Sequence, residues 1–129
     1  MKQMWELTIQ TDFSAAHQLR HYQGKCEHLH GHNWRVEITV RCRELDNRGI
    51  AVDFNDLKNA ARQVMEKLDH TLLNELEIFA GQNPSAENVA RYVHQELSQI
   101  VNTANNWVWR VCVHETPGCA AAYLEERDG

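Results

Sequence analysis

From Met4 to Phe13 the chain alternates, with Trp5, Leu7, Ile9 and Phe13 on one side and Glu6, Thr8, Gln10 and Asp12 on the other. A period of two is the signature of a strand with one face buried. The alternation returns from Asn33 to Cys42, where Trp34, Val36, Ile38, Val40 and Cys42 oppose Arg35, Glu37, Thr39 and Arg41. The polar run Asp46-Asn47-Arg48-Gly49 ends this second strand as a turn. Between Asn55 and Leu68 the period becomes helical, with Leu57, Ala61, Val64, Met65 and Leu68 on one stripe. Asn55 is the expected cap, and Asp56 suits the positive end of the helix. A second helix is expected to open at Asn83-Pro84, with Asn as cap and Pro as first helical residue, and to run through Val89, Val93, Leu97, Ile100 and Val101. Trp107 to Val113 alternates again, Thr116-Pro117-Gly118 turns, and Cys119 to Glu125 returns beside it.

The order β-β-α-α-β-β predicts an α+β fold: a four-stranded antiparallel sheet with both helices on one face. Its 129 residues suit a single domain spanning positions 1–129. A net charge of -5 without a basic run argues against nucleic acid as a partner. No apolar run reaches the ~18 to 20 residues that cross a bilayer, and no signal-peptide pattern opens the chain, so the expectation is a cytoplasmic protein with no membrane partner. In that compartment the four cysteines are expected to be reduced, with Cys42 and Cys112 acting as small hydrophobes inside strands.

The chemistry concentrates in Lys25 to Trp34, KCEHLHGHNW. His30 and His32 stand two residues apart at the mouth of a strand, so both imidazoles leave the same face. His17 shares the parity of Ile9 and Phe13, and a hairpin pairing of the two strands carries it back toward the other two. Three histidines without an obvious fourth ligand match the open arrangement of catalytic zinc. Cys26 and His28 offer a rival: a closed Cys-His₃ site that staples the fold and catalyses nothing. Elsewhere, Asp69 precedes His70 at the end of the first helix, Glu115 closes the third strand, Glu87 falls in the first turn of the second helix, and Arg20, Lys25 and Arg35 are scattered cations without a phosphate-cradling loop.

Taken in order, Phe13-Ser14-Ala15-Ala16-His17, Cys26-Glu27-His28-Leu29-His30-Gly31-His32-Asn33, Val52-Asp53-Phe54, Leu68-Asp69-His70, Asn83-Pro84-Ser85-Ala86-Glu87-Asn88 and His114-Glu115-Thr116 resemble the motifs of the 6-pyruvoyl-tetrahydropterin synthase family across nearly the whole chain. The short gap from Cys26 to His30-Gly31-His32 resembles the bacterial branch of that family, which serves 7-deazaguanine (queuosine precursor) synthesis. The resemblance implies the tunnelling fold, in which two trimers stack into a homohexamer with active sites between subunits. It implies a Zn²⁺ ion on His17, His30 and His32, Cys26 as base with Asp69 and His70 as an acid-base pair, and a pterin triphosphate as substrate, its ring anchored by Glu115. Glu87 and Ser85 are weaker substrate-binding candidates. Ser85 stands where many relatives carry threonine, a change that keeps the hydroxyl. The resemblance to the bacterial branch implies a 6-carboxylated tetrahydropterin as product, with a 6-pyruvoyl product as the alternative.

Overall fold

The computed structural model describes residues 1–21 and 27–127. Five strands, β1 (Trp5–His17), β2 (His30–Cys42), β3 (Thr71–Leu72), β4 (Asn106–Thr116) and β5 (Cys119–Leu124), lie in the order β3-β1-β2-β4-β5. The helices are α1 (Phe54–Leu68) and α2 (Ala86–Val101). β1, β2, β4 and β5 form the expected antiparallel sheet. The addition is β3, whose two residues pair in parallel with Ala15 and Ala16 of β1. A two-residue strand is too short to leave a periodic trace.

Both helices cover one face of the sheet. The buried core joins Ile9, Phe13 and Ala15 of β1, Trp34, Val36, Ile38 and Val40 of β2, and Val108, Val111 and Val113 of β4 to Leu57, Val64 and Leu68 of α1 and Val89, Val93 and Leu97 of α2. Each such side chain, removed from water, contributes about 1.5 to 3 kcal/mol. Trp34 is wholly buried, stacks on Phe13 at 5.5 Å and donates its indole N–H to the Ala15 carbonyl at 3.2 Å.

The differences from expectation are local. Asp53, not Asn55, caps α1, its carboxylate accepting the Asn55 amide at 2.7 Å. Ser85, not Asn83, caps α2, its hydroxyl accepting the Asn88 amide at 3.2 Å. Both strands of the first hairpin run longer than their apolar alternation, out to His17 and back to His30. Trp5 and Ile100, expected inside, are exposed. In β4 the register against β2 slips between Thr39 and Val40, so Trp109 lies between the pairs Thr39–Arg110 and Val40–Val108. That bulge reverses the alternation. Val108 therefore enters the core, while Trp107 and Trp109 turn to the other face, Trp109 beneath the Arg41 guanidinium at 3.6 Å and Trp107 beneath those of Arg43 and Arg127, each at 4.7 Å.

Two consequences are measurable by urea denaturation. Ser85→Ala, losing the cap of α2, is expected to lower stability by about 1 kcal/mol. Trp34→Ala, leaving a cavity under the strand mouth, is expected to cost about 3 to 5 kcal/mol.

Candidate functional site

The thirteen-residue ladder between β1 and β2 ends with His17 opposite His30, and Ala15 opposite His32. Alternation along both strands puts the three imidazoles on the helix-facing side at one end of the sheet. Their ring centroids are 4.5, 4.6 and 5.5 Å apart. Trp34 meets the His17 and His32 rings edge-on at 4.8 and 5.7 Å and forms an apolar floor.

Backbone carbonyls orient the rings. His17, only 1% exposed, donates its Nδ1–H to the Pro84 carbonyl at 2.7 Å, and His30 donates its Nδ1–H to the His28 carbonyl at 2.8 Å. Both rings thereby turn Nε2 inward, and these two nitrogens lie 2.9 Å apart. Glu115 supplies a fourth atom: its Oε1 is 2.7 Å from His17 Nε2, 3.1 Å from His32 Nε2 and 3.5 Å from His30 Nε2. Although close to Glu115, His32 Nε2 has no hydrogen bond of acceptable geometry and is buried. The His28 carbonyl, then the Glu115 and Glu27 carboxylates, raise the pKa of His30 against the opposing effect of burial. Burial, with the neighbouring rings, lowers that of His32.

Three ring nitrogens and a carboxylate oxygen within 4.8 Å of one another form a donor set that a divalent cation can satisfy. A metal at their centre would use the orphaned His32 nitrogen, and carbonyl-oriented imidazoles are the usual outer support of such ions. Nitrogen-rich ligation favours zinc-like ions over calcium or magnesium. The residues present fit the group.

Glu115 is the member whose closeness to the metal candidates the spacing alone did not reveal. Its parity with Val111 and Val113 places it on the correct face, and the register shift between His114 and Thr116 marks a second irregularity at this end of β4. The Pro84 carbonyl is also new to the site: Asn83-Pro84 reads as a helix start, whereas it forms the wall behind His17.

Asp69 and His70 come together, but against Ser14. The Asp69 carboxylate accepts the Ser14 amide at 2.8 Å through one oxygen and lies 2.9 Å from His70 Nδ1 through the other. The His70 amide donates to the Ser14 carbonyl at 2.6 Å. The Ser14 amide, and after it the His70 ring, hold the Asp69 carboxyl below its ordinary pKa. His70 adopts a left-handed φ of 59° and exposes 82% of its side chain. Such a conformation in a residue with a Cβ is uncommon and is concentrated at functional sites. Neither residue enters the hydrogen bonds of the histidine cluster among the described residues.

Cys26 and Lys25 lie outside the described residues. Glu27, next in sequence, exchanges backbone and side-chain hydrogen bonds with Leu19 at 3.0 and 3.1 Å and lies 3.7 Å from His30 Nδ1. The Ser85 hydroxyl is committed to capping, and Glu87 is exposed in the first turn of α2. Arg20, a candidate phosphate cation, instead donates to the Phe79, Gln82 and Asn74 carbonyls at 2.8 to 3.0 Å. The side-chain amides of Asn74 and Asn83 pair with the backbone of Gln18 and Arg20, extending the ladder beyond β1.

Comparison with known proteins agrees with this geometry. The chain is 31% identical over 134 residues to 6-carboxy-5,6,7,8-tetrahydropterin synthase of Rickettsia bellii, covering 90% of this chain and 97% of that one. It is 35% identical over 132 residues to the Bacillus subtilis protein of the same name, covering 97% and 88%. Among solved structures, Caenorhabditis elegans 6-pyruvoyl tetrahydropterin synthase superposes with a TM-score of 0.83 at 27% identity, covering 96% of this chain and 97% of that one. Residues 6–126 match the sequence profile of the family described as 6-pyruvoyl tetrahydropterin synthase, and the chain belongs to that enzyme family.

Proposed function

We propose that this protein converts 7,8-dihydroneopterin triphosphate to 6-carboxy-5,6,7,8-tetrahydropterin, with loss of acetaldehyde and triphosphate, and serves 7-deazaguanine synthesis in the cytoplasm. The observation that carries this reading is the convergence of His17, His30, His32 and Glu115 at the end of the β1–β2 ladder. The two relatives named as carboxytetrahydropterin synthases support the carboxylated product over the pyruvoyl one. The nematode structural relative, named for the pyruvoyl product, keeps that product as the second reading.

His17, His30 and His32 would hold a zinc ion, which supplies Lewis acidity toward the oxygens of the substrate side chain. The chain's own groups do the rest. The Pro84 and His28 carbonyls fix the two imidazoles, so no reorganisation accompanies substrate entry. Trp34 closes the site from beneath and excludes water on that side. Glu115, 29% exposed at its side chain, has a carboxylate suited to the paired N–H and amino edge of a pterin. Asp69 orients His70 so that its exposed Nε2 is the atom that takes or gives a proton. Cys26, within a histidine-rich segment, is assigned as the base on a carbon acid; a zinc ion or a cationic histidine beside it would favour its thiolate. Ser85 and Glu87 are left with roles at the N-terminus of α2 that need no substrate.

A homohexamer is part of the proposal. Among the described residues, β1 meets β3 only at Ala15 and Ala16, and β5 has a partner on one side alone. Open strand edges are templates for another copy of the sheet, and the exposed His70 would then face a neighbouring subunit.

Incubation of the zinc-loaded protein with 7,8-dihydroneopterin triphosphate, followed by mass spectrometry, is expected to give 6-carboxytetrahydropterin and acetaldehyde. A 6-pyruvoyl product would transfer the assignment to the second reading, and no turnover by folded, metal-loaded protein would defeat both. Cys26→Ala is expected to abolish turnover while retaining bound zinc. Glu115→Gln is expected to keep zinc and lower kcat/KM by about tenfold or more, equivalent to roughly 1.4 kcal/mol of lost transition-state stabilisation. Loss of zinc in that variant would make Glu115 a ligand and not a pterin anchor.

A further inference from the structure

The opposite face of the sheet carries another cluster. Glu37 of β2 pairs with Cys112 of β4, and Arg35 of β2 with His114 of β4. All four side chains point away from the helices. Cys112 Sγ lies 3.6 Å from His114 Nε2, and His114 Nε2 lies 3.7 Å from Glu37 Oε1. The three donor atoms are all within 4.8 Å of one another.

We infer that Glu37, Cys112 and His114 form a second metal site, for a zinc-like divalent cation, that ties β2 to β4 on the face remote from the histidine cluster. The spacing decides between this and a simple polar contact. An imidazole–carboxylate hydrogen bond spans about 2.7 to 3.2 Å, so 3.7 Å is too long for one. Zinc bonds of ~2.0 Å to nitrogen and oxygen and ~2.3 Å to sulfur give tetrahedral edges of roughly 3.3 to 3.6 Å. The Cys112–His114 and His114–Glu37 separations therefore need only a few tenths of an ångström of contraction. Without metal, the Cys112–His114 contact is no more than a weak thiol hydrogen bond.

Charge and chemistry agree. One thiolate, one carboxylate and one neutral imidazole balance a divalent cation, so the occupied site carries no net charge on a largely buried patch. A sulfur ligand selects against calcium and magnesium. On binding, the Cys112 thiol gives its proton to solvent as the metal–sulfur bond forms. Glu37 and His114 side chains are 26% and 17% exposed, which leaves the fourth position to water. Gln10 donates to Glu37 Oε1 at 3.3 Å and steadies the carboxylate.

Arg35 is the competitor. Its guanidinium lies 3.4 Å from His114 Nδ1 and 3.9 Å from Glu37 Oε1. A metal on Nε2 of neutral His114 puts the proton on Nδ1, which can no longer accept from Arg35. The Arg35 side chain is 51% exposed and can swing into solvent.

The test needs no enzymatic activity and does not depend on the proposed reaction. Metal-stripped protein dialysed against buffered zinc is expected to bind roughly two ions per chain, falling to one in Cys112→Ser and to one in His30→Ala. Cobalt loaded into the Cys26→Ala variant is expected to show thiolate-to-cobalt charge-transfer absorption that disappears when Cys112→Ser is added. If that substitution fails to fold by circular dichroism, alkylation of Cys112 in the wild-type chain decides: zinc should slow it by about tenfold or more. Unchanged zinc stoichiometry in folded Cys112→Ser, or equal alkylation of Cys112 with and without zinc, overturns the inference.

Discussion

The register between β1 and β2 is the constraint on which the rest depends. Thirteen consecutive pairs run without a bulge from Trp5–Cys42 to His17–His30. Because side chains alternate with period two, a slip of β1 by one residue would send Phe13 to the face opposite Trp34 and separate His17 from His30 and His32. The same apolar residues that bury the sheet therefore aim the imidazoles. Core and site are two ends of one pattern: Phe13, Ala15 and His17 on one strand, and His30, His32 and Trp34 on the other.

The histidine cluster is held from behind by the segment leading into α2. Pro84 offers its carbonyl to His17, Ser85 caps the helix, and Asn83 pairs with the backbone of Arg20. Arg20 in turn gathers three carbonyls from the turns between α1 and α2. Hydrogen bonds from a charged donor contribute about 1.5 to 3 kcal/mol each when shielded, and less here because Arg20 is half-buried. A cation that looks free in sequence is thus part of the scaffold that fixes the first ring.

Much of this was legible before any coordinates. Strict alternation located β1, β2 and the partnership of His17 with His30 and His32, since strand parity follows directly from residue number. Helical spacing located both helices. What escaped has physical causes. The bulge at Trp109 adds one residue, and no alternation rule survives an insertion whose position is set by pairing with β2. The caps Asp53 and Ser85 were misplaced because Asn55 and Asn83 are equally good capping residues, and the choice rests on where the chain turns. Glu115 reaches the metal candidates from β4, the neighbour of β2 on the same face, a separation in sequence of 98 residues from His17 that only the strand order closes. Cys112 looked like a small buried hydrophobe, and it is buried, but Glu37 on the paired strand and His114 on its own give its sulfur a chemistry that burial alone does not show.

The central claim is that three inward-facing imidazole nitrogens at the end of the β1–β2 ladder hold the catalytic metal. Zinc-edge X-ray absorption on the Cys112→Ser protein, loaded with zinc, reads that site directly. The account predicts a shell of nitrogen and oxygen donors near ~2.0 to 2.1 Å with the outer scattering of about three imidazoles. A shell dominated by sulfur at ~2.3 Å, or one without imidazole scattering, would contradict it.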